Sequence, residues 1–175
     1  MRRPVDRERL AELMRRLGAA ARQPATVYLT GGATAVLLDW RATTIDVDLK
    51  VEPDSDEVLR AVAGLKEPLE LNVELAAPDD FVPPLPEWRE RSLFIVKEGP
   101  LVFRHYDFYA QALAKIERGH SQDVADVRAM LSGGLVIPGK LRVLFEAIVP
   151  QLYRYPALDE RSFRGALDAA LTPWE

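Results

Sequence analysis

Apolar residues recur along this chain with two different periods, and the change of period divides it. From Asp6 to Gln23 they fall at Leu10, Leu13, Met14, Leu17 and Ala21. That spacing predicts a helix, with Asp6 as its N-cap and Pro24 as its stop. ATVYLT, residues 25–30, predicts a strand that runs straight into Gly31-Gly32, and ATAVLLDW then fits a helix of two turns. TTIDVDLKV switches to a period of two: Ile45, Val47 and Leu49 share one face, and Asp46, Asp48 and Lys50 share the other. Acids at 54 and 56 open a helix expected to reach about Lys66. LELNVELA, residues 69–76, alternates throughout and predicts a half-buried strand. PDDFVPPLPEW reads as irregular, and SLFIVKEGPLVFRHY as two strands joined at Glu98-Gly99-Pro100.

Beyond Asp107 the period is helical. Segments 108–119, 121–131, 138–153 (bent or ended by Pro150) and 160–171 are the expected helices. Strands followed by helices predict an α+β fold: an α/β-type mixed sheet over residues 1–106, then a C-terminal helical bundle over residues 107–175 that packs on it.

Composition narrows the function classes. The chain has 175 residues, 48% of them hydrophobic, a net charge of −4, no cysteine and two histidines. A broadly basic nucleic-acid surface, thiolate metal sites and cysteine nucleophiles are therefore excluded. No apolar stretch approaches the roughly 18 residues of a membrane span, and MRRPVDRERL has arginines without the apolar core of a signal peptide. A cytoplasmic protein is the expectation, with no membrane partner.

The chemistry concentrates between Thr30 and Val51. Gly31-Gly32 at a strand end is either an ordinary turn or a place where backbone N–H groups meet phosphate. Asp46 and Asp48, at i and i+2 of a strand, project to one side. Such carboxylates either face water with Lys50 as partner or converge on a divalent cation, and Mg²⁺ suits a carboxylate pair plus substrate phosphates. Together, a phosphate-gripping turn and an Asp-x-Asp strand form a phosphoryl-transfer layout. A third carboxylate on a neighbouring strand would complete a two-metal site and assist an attacking hydroxyl. Glu74 is the candidate and Glu70 the alternative; Asp79 and Asp80 fall in the proline-rich loop.

The segments TGG, ATAVLLDWRAT and TIDVDL resemble the signature of the nucleotidyltransferase superfamily related to DNA polymerase beta, nearest to the AbiEii-like toxin nucleotidyltransferases and their small relatives. Arg41 and Thr44 stand ahead of Asp46 as in an Arg-x-Thr-x-Asp-h-Asp run, with one residue more in the spacing. LAKIERGHSQDVADV matches a later helical part with Lys115, Arg118, Asp123 and Asp126. The resemblance spans about residues 26–130. It implies a nucleotidyltransferase that uses Mg²⁺ (or Mn²⁺) held by Asp46, Asp48 and Glu74. Its NTP would lie against Gly31, Gly32, Thr44, Lys115, Arg118 and Asp123. It further implies a tRNA 3′ end or a protein hydroxyl as acceptor, and a toxin with an antitoxin partner. In that setting Lys115 is a mobile ammonium reaching the triphosphate, with Asp123 and Asp126 anchoring Lys115, Arg118 or a ribose. The alternative is a catalytically inactive nucleotide-binding or regulatory module of the same fold. Trp40 and Trp88 are expected to pack, His105 to make structural hydrogen bonds, and the arginines of the first helix to face water.

Overall fold

The computed structural model describes residues 2–175 and divides into two compact units, residues 2–77 with 92–106 and residues 78–91 with 107–175. The first is built on a five-stranded mixed sheet. Its strands are β1 (Ala25–Thr30), β2 (Asp46–Glu52), β3 (Asn72–Glu74), β4 (Phe94–Glu98) and β5 (Leu101–His105), in the order β3-β2-β1-β5-β4. β1 runs antiparallel to β2 and parallel to β5; β2 and β3 are parallel; β4 and β5 form the antiparallel hairpin expected from the sequence. The mixed α+β class is thus realised.

Helices α1 (Arg7–Ala20), α2 (Gly32–Leu37) and α3 (Asp56–Leu65) complete this unit. Asp6 caps α1 by accepting from the Arg9 N–H at 2.9 Å, and Ser55 caps α3 by accepting from Val58. The apolar faces of α1 and α3 meet one face of the sheet, where Leu10, Leu13, Leu17, Val58 and Val62 pack with Val27, Leu29, Val47, Leu49 and Phe103. Each such side chain, removed from water, contributes roughly 1.5–3 kcal/mol. The backbones of α1 and the β4–β5 turn come unusually close. A Cβ on Gly18 would lie 2.4 Å from the Glu98 carbonyl oxygen, and one on Gly99 would lie 2.4 Å from that of Gly18.

Two expected strand faces differ from the observed ones. Ile45 lies outside β2 and is 60% exposed. Thr44 forms an isolated bridge with Val5, and its hydroxyl donates to the Asp46 carbonyl at 3.1 Å, so the chain turns before the strand begins. The run 69–76 yields only three strand residues. The chain must first reverse after α3: Leu69 N–H bonds back to Leu65, Leu71 to Lys66, and Glu70 adopts φ +51°. Leu75 passes the end of the ladder and is 58% exposed.

The second unit is helical. It contains α4 (Trp88–Arg91), absent from the sequence expectations, then α5 (Phe108–Arg118), α6 (Ser121–Ser132), α7 (Pro138–Ile148) and α8 (Glu160–Leu171). After α7 the chain tightens into a 3-10 segment, Val149–Arg154, with Pro150 at its start. Phe145 and Phe163 meet edge to face at 5.0 Å within this core. Segment 78–91 is tied to the helices by Tyr155, whose hydroxyl donates to the Asp79 carbonyl at 2.7 Å. Arg91 holds the Asp107 carboxylate through bonds of 2.7 and 3.1 Å. Among the described residues no helix is long and apolar enough to cross a membrane.

Candidate active site around the glycine turn and the β2–β3 edge

β2 alternates cleanly. Val47, Leu49 and Val51 are buried in the core, and Asp46, Asp48, Lys50 and Glu52 are half-buried on the other face. The register then fixes what Asp48 meets. It lies beside Thr30 on β1, the residue before the glycine turn, and beside Glu74 on β3. Asp46 lies beside Asn72. Residues paired in register share a face of the sheet, so Asp48 and Glu74 stand on the same side at its β3 edge. Glu70, the alternative third carboxylate, sits in the turn before β3 and pairs with Arg3 at 3.5 Å. Register therefore favours Glu74.

The glycine turn touches this face. Gly31 has φ +61° and ψ −129°, a conformation that a side chain resists. A Cβ there would sit 3.1 Å from Oδ2 of Asp48. At Gly32 a Cβ would fall 2.0 Å from the Thr44 hydroxyl and 3.3 Å from Nη1 of Arg41. Both positions thus need glycine because other groups of the motif occupy the space. The turn, Arg41, Thr44 and Asp48 form one cluster.

His105 is tied to the helix that follows the glycine turn. Its Nδ1 lies 3.0 Å from the Thr34 hydroxyl in the first turn of α2, and that hydroxyl donates to the Leu29 carbonyl at 3.3 Å. Burial pushes the imidazole pKa down to about 4, so the ring is neutral at physiological pH. The structural role expected of His105 fits this geometry.

Asn72 emerges as a site residue that sequence reasoning passed over. Its amide donates to Oδ1 of Asp46 and, at 3.1 Å, to Oε1 of Glu74. Arg2 donates to its Oδ1 and to the Leu71 carbonyl. The signal was available: Asn72 lies two residues before Glu74 on the polar face of the same alternating run. Asp46, Asp48 and Glu74 supply only carboxylate oxygens, the donor type hard cations take. Among the described residues, however, no three such side chains are gathered into a ready metal cage, and the Asn72 amide bonds two of the three.

The second unit holds the other predicted residues. Lys115 is 7% exposed and donates to Asp126 at 2.7 Å, with Asp123 at 3.6 Å. Arg118 forks onto Asp123 at 2.8 and 2.6 Å. Burial of Asp123 resists its ionisation, but Arg118, Lys115 and the His120 N–H outweigh that effect and hold its pKa below the ordinary carboxylate range. The mobile ammonium expected at Lys115 is therefore a pinned one. Both carboxylates are buried, and each needs a cation where it sits.

No family model, curated protein or solved structure matches this chain.

Proposed function

We propose that the chain is a divalent-metal-dependent nucleotidyltransferase, moving NMP from an NTP to a hydroxyl of an RNA, such as a tRNA end, or of a protein. One observation carries this reading: Asp48 lies against Gly31 on one side and in register with Glu74 on the other. A turn that admits close backbone approach thus borders directly on a carboxylate pair.

In this reading the triphosphate lies along Gly31 and Gly32, with Thr44 beside it. Asp46, Asp48 and Glu74 would hold Mg²⁺ or Mn²⁺, which supplies charge neutralisation at the reacting phosphate. The acceptor oxygen forms a bond to the α-phosphorus while the bond to the departing pyrophosphate breaks, and the acceptor proton passes to the Glu74 carboxylate. Orientation and electrostatic stabilisation supply most of the rate. The resemblance extends the proposal to a toxin controlled by an antitoxin.

The test is labelled NTP with Mg²⁺ and total RNA or cell lysate, comparing wild type with Asp48→Ala. Label transferred by wild type alone supports the assignment, and equal labelling by both sinks it.

A second reading is favoured by Asn72, whose amide satisfies Asp46 and Glu74 and is itself held by Arg2. A site locked in that way would bind nucleotide without turnover. NTP binding with no pyrophosphate release in any acceptor mixture would support it.

A further inference from the structure

The second unit contains a groove of about 580 Å³ between α5, α6, α8 and the residues after α8. We propose that it binds a small amphiphilic monoanion, an acyl or aryl carboxylate with an unbranched or flat apolar body.

The volume lies within the roughly 300–1,000 Å³ of small-molecule sites. Val124 and Val127 form one wall. Ala166, Ala169 and Ala170, at i, i+3 and i+4 of α8, form another and let an occupant approach the helix closely. The Trp174 ring, 41% exposed, offers a flat apolar side.

Charge selects the ligand's head. Lys115 reaches the groove, but its ammonium is already matched by Asp126 and Asp123. Arg118 is matched by Asp123 as well, so these four charges sum to zero. Arg128 also lines the groove and is exposed on α6. Among the described lining residues none is acidic. One cation therefore stands over an apolar surface, which fits a single carboxylate on an apolar body. A neutral lipid would gain nothing from the guanidinium, and a cation would meet it as a like charge.

The test uses the full chain with 8-anilinonaphthalene-1-sulfonate as fluorescent probe, displaced below micellar concentrations by decanoate, decanol or decylammonium. Decanoate is expected to displace the probe several-fold more tightly than decanol, the scale of one ion pair on an exposed side chain. Decylammonium should be weakest. Arg128→Gln should abolish the preference for decanoate while leaving decanol unchanged. Ala169→Phe, on an exposed helix position, should weaken both ligands with an unchanged circular dichroism spectrum. The proposal is overturned by equal displacement by decanoate and decanol, by a preference that survives Arg128→Gln, by binding that survives Ala169→Phe, or by no displacement at all. A wild-type chain that elutes as a dimer indifferent to decanoate overturns it too, because a second copy then covers the groove.

Discussion

Asp48 fills the space that a side chain at Gly31 would need: a Cβ on Gly31 would lie 3.1 Å from Oδ2 of the aspartate. The glycine's positive φ and the carboxylate's position are thus parts of a single arrangement.

Gly31→Ala should accordingly cost about 1–3 kcal/mol of stability, the range for a side chain forced into glycine-only backbone space. Urea denaturation measures that cost. On the proposed function, NTP transfer should fall further than the stability loss accounts for, since Asp48 must shift to make room.

Gly32→Ala acts through packing instead. Its Cβ would overlap the Thr44 side chain, and Thr44 is fixed on both backbone sides to Val5, with bonds of 2.7 and 2.9 Å. Overpacking of about 1–3 kcal/mol is expected. Amide exchange at Val5 and Thr44 should accelerate in the variant, and unchanged exchange there would contradict this account.

The two acidic candidates on the run 69–76 separate by mutation. Glu74→Gln should lower NMP transfer on the order of 100-fold, the usual scale for losing a proton acceptor. Glu70→Gln, which removes only an exposed pairing with Arg3, should leave it unchanged. Equal loss in both variants would contradict the register argument.

Lys115→Met leaves the buried Asp126 carboxylate without its ammonium and should destabilise the chain by about 3–5 kcal/mol. Adding Asp126→Leu should restore much of that loss, because it removes the buried carboxylate that Lys115 faces. A double-mutant cycle in thermal or urea unfolding reads the coupling, and simple additivity would show that the pair is not held as described.

The pH dependence should carry the mark of His105. Its folded pKa, near 4, lies below the ordinary 6.5, so the unfolded chain binds a proton first as pH falls. The stabilisation is fully present above about pH 6.5 and declines through the window down to about 4, by about 3 kcal/mol in all. His105→Gln should flatten that limb. Asp123, whose pKa is lowered, contributes above its ordinary range and is lost only as pH falls below it, so its limb lies on the acid side.

Local pattern made much of this visible in advance. Helix bounds at α1, α3, α5, α6 and α8, the β4–β5 hairpin and the two-faced β2 follow from periodicity and caps that act within a few residues. What escaped depended on groups distant in sequence. Ile45 faces water because Thr44 is bridged to Val5, and β3 is short because its first residues are needed for a reversal after α3. Glu74 could be proposed from alternation, but its partner depended on register, which alternation leaves open. Asn72 was visible as polar, whereas its place between two carboxylates needed the β2–β3 pairing. Likewise, the charges of Lys115 and Asp126 were legible, but their burial was not.

The excursion of residues 78–91 has a practical consequence for dissecting the molecule. The chain passes between its two units three times, after Ala77, after Arg91 and after Tyr106. A fragment ending at residue 106 would keep the sheet but carry Val82, Leu85 and Trp88, buried residues of the second unit, without the rest of that unit. Separate expression of the sheet unit therefore requires replacing that internal segment with a short polar bridge, because no single cut releases either half intact.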